Sequence, residues 1–356
     1  MTPLEAEIRH IIAIDGPLPV DRYMELCLSH PQHGYYVTRD PFGAAGDFIT
    51  APEVSQMFGE LLGAWAATVW RQMGSPGRVH LIELGPGRGT LMADALRAAQ
   101  ALPDFHAALS VHLVEVSPVL RALQEKTLAN TDVPIAWHRG IEEVPDGPTI
   151  AIANEFVDAL PIGQFVKDHD GWHVRMVGIG NDKLTFVAAP DPMLVHVAAT
   201  DTTPLGTILE RRYDRPVSVL AQRIARQSGA ALIVDYGHAD SGFGDTLQAV
   251  RGHQFADPLD RPGEADLTAQ VDFAAVATWA QRQGAAVQGP VPQGEYLRRL
   301  GIEQRAARLK NNATPQQASD IDAALARLTA PDQMGELFKV LAMTDPKLGP
   351  LPGFDS

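Results

Sequence analysis

The stretch HLIELGPGRGTLMADALRAAQ, residues 80–100, sets three alternate glycines, Gly85, Gly87 and Gly89, between an apolar run and a helical pattern. Val79 to Leu84 reads as a short buried strand, and Leu91, Met92, Ala95, Leu96 and Ala98 recur at helical spacing directly afterwards. Strand, tight turn and helix follow in order. Glycine belongs in such a turn because the backbone bends sharply and a ligand approaches where a Cβ would collide. Loop N–H groups and the helix start then favour an anionic group.

The same alternation continues along the chain. VHLVEV precedes SPVLRALQEKTLA, IAWHRG precedes TIAIANEF, and the helix SVLAQRIARQSG, with Gly229 as its cap, precedes the strand ALIVDYG. This is an α/β pattern with a parallel sheet covered on both faces. A helical preface joined by GPLPVD and a Gly/Pro/Asp-rich loop at 34–53 come first, with Thr50 and Glu53 as a capping box ahead of the helix MFGELLGAWAATVWRQM. The expected organisation is therefore an N-terminal extension, residues 1–75, and a core domain, 76–356, carrying an α+β insertion at about 167–217 around a hairpin that turns at Gly180 to Asp182. Residues 237–270 read as a long loop of the kind that is either functional or disordered, and the sequence closes on the helical EYLRRLGIEQRAARLKNN and a last strand, ELFKVLAMT.

Composition narrows the partners. A formal net charge of -14 argues against nucleic acid, which needs clustered Lys and Arg. The single cysteine, Cys27, excludes intramolecular disulfides and multi-cysteine zinc sites and reads as a core residue. No metal is expected, since the histidines lack an H-E-x-x-H or comparable spacing. The first residues, MTPLEAEIRHIIAIDG, resemble neither a secretory signal nor a transit peptide, and LLGAWAATVW is too short to span a bilayer. A cytoplasmic protein without membrane insertion is expected.

The ligand can be narrowed too. The glycine pattern is E-x-G-x-G-x-G, Glu83 to Gly89, and Thr90 stands where a dinucleotide-binding G-x-G-x-x-G needs its third glycine. An acid at the strand's carboxyl end repels a pyrophosphate and welcomes a cation. S-adenosylmethionine, with its sulfonium and ammonium, is such a ligand. A phosphate-binding P-loop is excluded because no Gly-Lys-Ser/Thr follows. Glu115 ends the next strand, where a carboxylate accepts from ribose hydroxyls; dinucleotide enzymes share that feature, so Glu115 alone leaves the cofactor open. Gly140 and Ile141 follow the third strand and border the adenine, and Asn154 at the fourth strand tip completes the cofactor set.

GDFITAPEVSQMFGELLG, IELGPGRGTLMADAL, NEFVDALPIGQF and GEADLTAQVDF together resemble the MidA-like methyltransferases, from about Gly34 to the C-terminus. The resemblance implies a class I, Rossmann-like, seven-stranded mostly parallel sheet and S-adenosylmethionine-dependent methylation of an arginine in the quinone-site core subunit of respiratory complex I. Its eukaryotic members act in the mitochondrial matrix, where they assist assembly of that complex. Gln270 departs from the histidine expected in many relatives, so a binding or proton-transfer role there does not carry over.

A guanidinium stays protonated to a pKa above about 12. Carboxylates that grip two of its nitrogens can bias charge away from the third. Glu155 and Asp158, three residues apart in NEFVDALP, are the expected catalytic pair, Glu155 first. Tyr236 could stack on the guanidinium, His253 accept a proton, and Asp47, Phe48 and Asp266 border the substrate. Two other readings remain: a methyltransferase acting on small molecules or other proteins, and an assembly chaperone that binds the cofactor without turnover.

Overall fold

The structure is a computed structural model that describes residues 1–39, 41, 49–195, 203–212 and 215–354. Seven strands form the main run of the central sheet: β1 Val79–Leu84, β2 Leu109–Val114, β3 Ile135–His138, β4 Thr149–Asn154, β5 Gly229–His238, β6 Ala286–Pro292 and β7 Phe338–Thr344, with the two-residue strand Val271–Asp272 paired to the end of β5. Their order is 3-2-1-4-5-7-6. The first five run parallel, and β7 runs antiparallel to both β5 and β6. This is the expected seven-stranded, mostly parallel sheet of the class I methyltransferase fold.

Strand periodicity explains the two covered faces. Leu81, Ile150 and Leu232 point into a cluster with Phe58, Leu62 and Trp65 of α3, Gln56–Gln72, and Leu91 and Leu96 of α4, Thr90–Ala99. Their neighbours Ile82, Ala151 and Ile233 point the other way, against Leu220 and Ile224 of the helix Arg215–Gln227 and Phe273 and Val276 of the helix Phe273–Arg282. Both faces of β1, β2 and β4 are dry, so these strands read as continuous apolar runs.

Several local expectations need correction. The Thr50 side chain makes no cap bond; the helix there is a single turn, Ala51–Val54, and Ser55 caps α3 by accepting from the Met57 N–H. Glu53 reaches forward instead, accepting from Thr90 Oγ1 at 2.5 Å. Gly229 begins β5 instead of capping the preceding helix, while Ser228 takes the left-handed position at φ 67°. The "loop" 237–270 contains a small sheet of Gln248–Arg251, Gln254–Ala256 and Asp266–Thr268. Gly301 splits the late helical run into Gln293–Arg299 and Ile302–Lys310, and a further helix spans Pro315–Thr329.

An antiparallel sheet of Ile162–Asp168, Gly171–Gly180, Lys183–Ala188 and Ile208–Arg212 interrupts the core between β4 and β5. The first helices, Pro3–Asp15 and Val20–Ser29, pack on it: Leu4, Ile8, Tyr23 and Met24 share a buried cluster with Ile162, Val177, Leu247 and Leu267. Cys27 is buried there, and burial pushes its thiol up to about 12, so it stays protonated. No helix of the described residues is long and apolar enough to cross a membrane.

Candidate active site

Strand order reverses between β1 and β4, which opens a crevice at their carboxyl ends. The glycine turn fills one wall. Gly85, Gly87 and Gly89 have φ of 65°, 54° and 83°, the left-handed conformations that require glycine. Gly89 also starts α4 as its N-cap residue. Glu53 braces the turn from outside, bonded to Thr90 and paired with Arg88 at 3.7 Å. Arg88 is thus half-buried against an acid.

A cavity of about 380 Å³ lies in this crevice, lined by Gly85, Gly87, Glu115, Gly140, Ile141 and Glu155, with Tyr36 and Leu28 of the N-terminal extension and Phe156 closing it. A narrow cleft beside it is lined by Glu83, Asn154 and Glu155 together with Gly85 and Gly87. Seven of the eight expected cofactor residues therefore border one continuous set of walls, and Gly89 shapes the turn behind them.

Buried polar atoms in these walls call for a ligand. Glu83 is only 3% exposed, and its Oε2 has no partner among the described residues; Asn154 Oδ1 beside it is in the same state. Such atoms are costly unless a ligand or water satisfies them. Burial, reinforced by Glu115, pushes the Glu83 carboxyl up to about 8, so a cation arriving there finds an acceptor that gains by ionising. Glu115 is held in place: Oε1 accepts from the Ser117 N–H at 2.7 Å and Oε2 from Gln124 Nε2 at 3.1 Å. Gln124 also donates to Gly87 O and accepts from Trp137 Nε1, locking the second strand tip to the glycine turn. A cationic amino-acid moiety at Glu83 and Asn154, and a ribose at Glu115, fit these donors and acceptors.

At the fourth strand tip, Glu155 takes a left-handed φ of 48°, uncommon for a residue with a side chain. Its Oε1 accepts from the Ala51 N–H at 3.0 Å and Asn154 Nδ2 at 3.3 Å. Burial pushes its carboxyl up to about 7, partly offset by the Ala51 N–H and reinforced by Asp158. Asp158 is 5% exposed, and its Oδ1 has no partner among the described residues. Burial raises its pKa against the pull of Arg212 and Tyr236. Asp235 orders the turn between them, accepting from Val157 N–H at 3.0 Å and Asp158 N–H at 3.1 Å.

The expected substrate residues fare unequally. The Tyr236 hydroxyl donates to Thr268 Oγ1 at 2.5 Å and accepts from Gln248 Nε2 at 3.2 Å, and its ring packs on Phe338, so it sits beside Asp158 already engaged. Asp266 accepts from the Tyr36 hydroxyl at 2.8 Å, which sets it behind the cavity wall. His253 is not brought to the cavity: it occupies the exposed turn joining Gln248–Arg251 to Gln254–Ala256, with φ 60°. Asp47 and Phe48 lie outside the described residues. Tyr36, Gln124, Phe156 and Arg212 were not anticipated from the sequence.

Two other features are set apart from this site. A hollow of about 580 Å³ lined by Glu210, Arg212, Gln270 and Trp279 touches none of the candidate cofactor residues. Glu7, His30 and His33 bring three potential metal ligands within 4.8 Å of one another. His30 Nδ1 accepts backbone N–H groups of Gln32 and His33, which leaves the ring proton on Nε2, the nitrogen facing Glu7.

Comparison with known proteins agrees with this geometry. Residues 61–291 match the family of S-adenosyl-L-methionine-dependent methyltransferases. The chain is 38% identical to the Drosophila melanogaster "Protein arginine methyltransferase NDUFAF7 homolog, mitochondrial", over 96% of this chain and 84% of the relative. It is 37% identical to the Homo sapiens "Protein arginine methyltransferase NDUFAF7, mitochondrial", over 96% and 83%. A Burkholderia thailandensis crystal structure bound to S-adenosyl-homocysteine superposes with a TM-score of 0.82 at 28% identity, covering 99% of this chain and 92% of that one. The chain belongs to the S-adenosyl-L-methionine-dependent methyltransferase family that these relatives represent.

Proposed function

We propose that this methyltransferase modifies an arginine side chain of a protein, with Glu155 and Asp158 as the guanidinium ligands. The observation that carries the reading is Asp158 Oδ1, a buried carboxylate oxygen without a partner among the described residues, three residues from a second buried acid. The arginine specificity printed in the relatives' names supports it. When bound, S-adenosylmethionine supplies an electrophilic methyl carbon. Glu83, Asn154 and Glu115 would hold it, with the glycine turn beneath. Glu155 and Asp158 orient the guanidinium, and Glu155 takes the proton that the attacking nitrogen loses. The quinone-site core subunit of respiratory complex I is the protein substrate we infer, on the family resemblance, and the cytoplasm is the inferred location.

Incubating enzyme, labelled S-adenosylmethionine and cell extract tests the reading. A labelled protein band whose hydrolysate contains methylarginine supports it. Label confined to a metabolite, to another residue type, or absent altogether overturns it.

Two quantitative expectations follow from the charges. Glu155 can accept from a guanidinium only when ionised, so kcat/KM should fall about tenfold per pH unit below about pH 7 and level off above it. A profile flat across that range would remove Glu155 from the role. Glu115→Ala should weaken S-adenosylhomocysteine binding by about 1.5–3 kcal/mol, the worth of hydrogen bonds to a charged acceptor. Titration calorimetry measures this, and an unchanged Kd would move the ribose contact elsewhere.

A further inference from the structure

We propose that Arg212, delivered by the inserted sheet, is a positioning residue for methyl transfer: its guanidinium fixes the two backbone segments that frame the carboxylate centre and sets a positive charge beside Asp158 and Asp235. This rests on the assignment of Asp158 to substrate binding.

The contacts are specific. Arg212 Nη1 faces the carbonyls of Val157, Asp158 and Leu160 at 2.5, 2.8 and 2.6 Å, sharing its two hydrogens among them. Nη2 donates to Ala269 O at 2.7 Å and Gln270 O at 3.1 Å. One planar group therefore spans the turn after β4 and the segment before the helix Phe273–Arg282. The Ala269 N–H bonds to Asp158 O at 3.1 Å and joins the same two segments directly.

Topology explains why the insertion supplies this residue. The inserted sheet leaves the core at Ile162 and returns at Arg212, and these two residues are register partners across the antiparallel pair. The excursion brings its last strand back beside its point of departure, under the turn that carries Asp158. Each of the five acceptors is a main-chain oxygen, so the positive charge remains available to the acids nearby. Asp158, Asp235, Tyr236 and Glu210 all feel it. Glu155 faces Asp235, while Tyr36 feels both Asp158 and Asp266. Arg212 acts on both buried aspartates of this group. A lysine would keep the charge but, with a single nitrogen, could not bridge both segments.

The test compares Arg212→Ala, Arg212→Lys and Asp158→Asn with the wild type, by S-adenosylhomocysteine calorimetry and by label transfer from S-adenosylmethionine to extract protein across pH. Arg212→Ala should bind S-adenosylhomocysteine normally yet transfer label about 100-fold more slowly, as misplaced reacting groups do. A second acid limb should appear beside that of Glu155, because Asp158 deprived of its neighbouring cation ionises later. Millimolar guanidinium should restore part of the rate, since the hollow lined by Arg212 gives it a route. Arg212→Lys should keep the wild-type acid limb with a smaller loss of rate.

Wild-type rate and pH profile in Arg212→Ala overturn the proposal. So does failure of both Arg212 variants to fold, which would make the residue a structural strut. An active Asp158→Asn shows that the site assignment itself has failed; an inactive Asp158→Asn beside unaffected Arg212 variants shows that this inference alone has failed.

Discussion

Glu155→Gln should leave S-adenosylhomocysteine affinity intact and slow methyl transfer by about 10²–10⁴-fold, the range for a positioned proton acceptor. The substitution is close to isosteric. A glutamine can turn its amide oxygen to the Ala51 N–H, so the segment docked on Glu155 keeps its contact. The left-handed backbone at this position is equally uncommon for both residues. What disappears is the negative charge and the capacity to take a proton, both needed by a guanidinium and neither needed by a cofactor held at Glu83 and Glu115. Single-turnover rates with a methylatable protein, set beside calorimetry of the same preparation, check the separation. Near-wild-type turnover would end the assignment of Glu155.

Gly229→Ala should cost about 3 kcal/mol or more, enough to threaten the fold of a marginally stable domain. The position combines two obstacles. Its φ is 152°, which side-chain-bearing residues rarely adopt, and an added Cβ would lie 1.9 Å from the carbonyl oxygen of Thr149. That oxygen belongs to the neighbouring central strand and cannot rotate aside as a flexible side chain could. Gly229 O accepts from the Asp345 N–H, and Thr149 N–H bonds to Ser228 O, so movement of either chain breaks a paired main-chain group. A denaturant melt would show the midpoint displaced strongly downward with little change in slope. A wild-type midpoint would mean that the two strands can part at no cost.

How much could be read from the residues depends on how local their signals are. The strand tips with Glu83, Glu115 and Glu155 were legible because each apolar run carries an acid at its carboxyl end, and β2, β1 and β4 lie side by side in the sheet. β6 was not, because AVQGPVP carries Gly289, Pro290 and Pro292. Proline is tolerated there because β6 lies at the sheet edge, with an irregular register between Gln288 and Val291. The capping box failed for a different reason. Glu53 had the right spacing, but a tertiary partner, Thr90, outcompeted its own backbone. Tyr36, Gln124 and Arg212 act through partners fixed by the folded topology, and no local pattern announces them. His253 misled because a polar residue in a long connection looks like a lid residue until the connection proves to be a hairpin with its turn at that point.

The docking of the N-terminal extension bears on the order in which the chain can become native. Thr2 Oγ1 donates to Pro262 O, the Tyr23 hydroxyl to Pro258 O and the Tyr36 hydroxyl to Asp266. Residues 2–36 are thus tied to a segment that lies 230 to 260 residues later in the sequence. Contacts of such sequence separation form slowly, and their apolar partners stay exposed meanwhile. Leu4, Ile8, Tyr23 and Met24 stay without their full apolar cover until Leu247 and Leu267 have been made. Because Tyr36 also lines the cofactor cavity, the pocket gains its last wall only as that wait ends. Cofactor binding is then a report that residues 2–36 and the segment 258–266 have found each other.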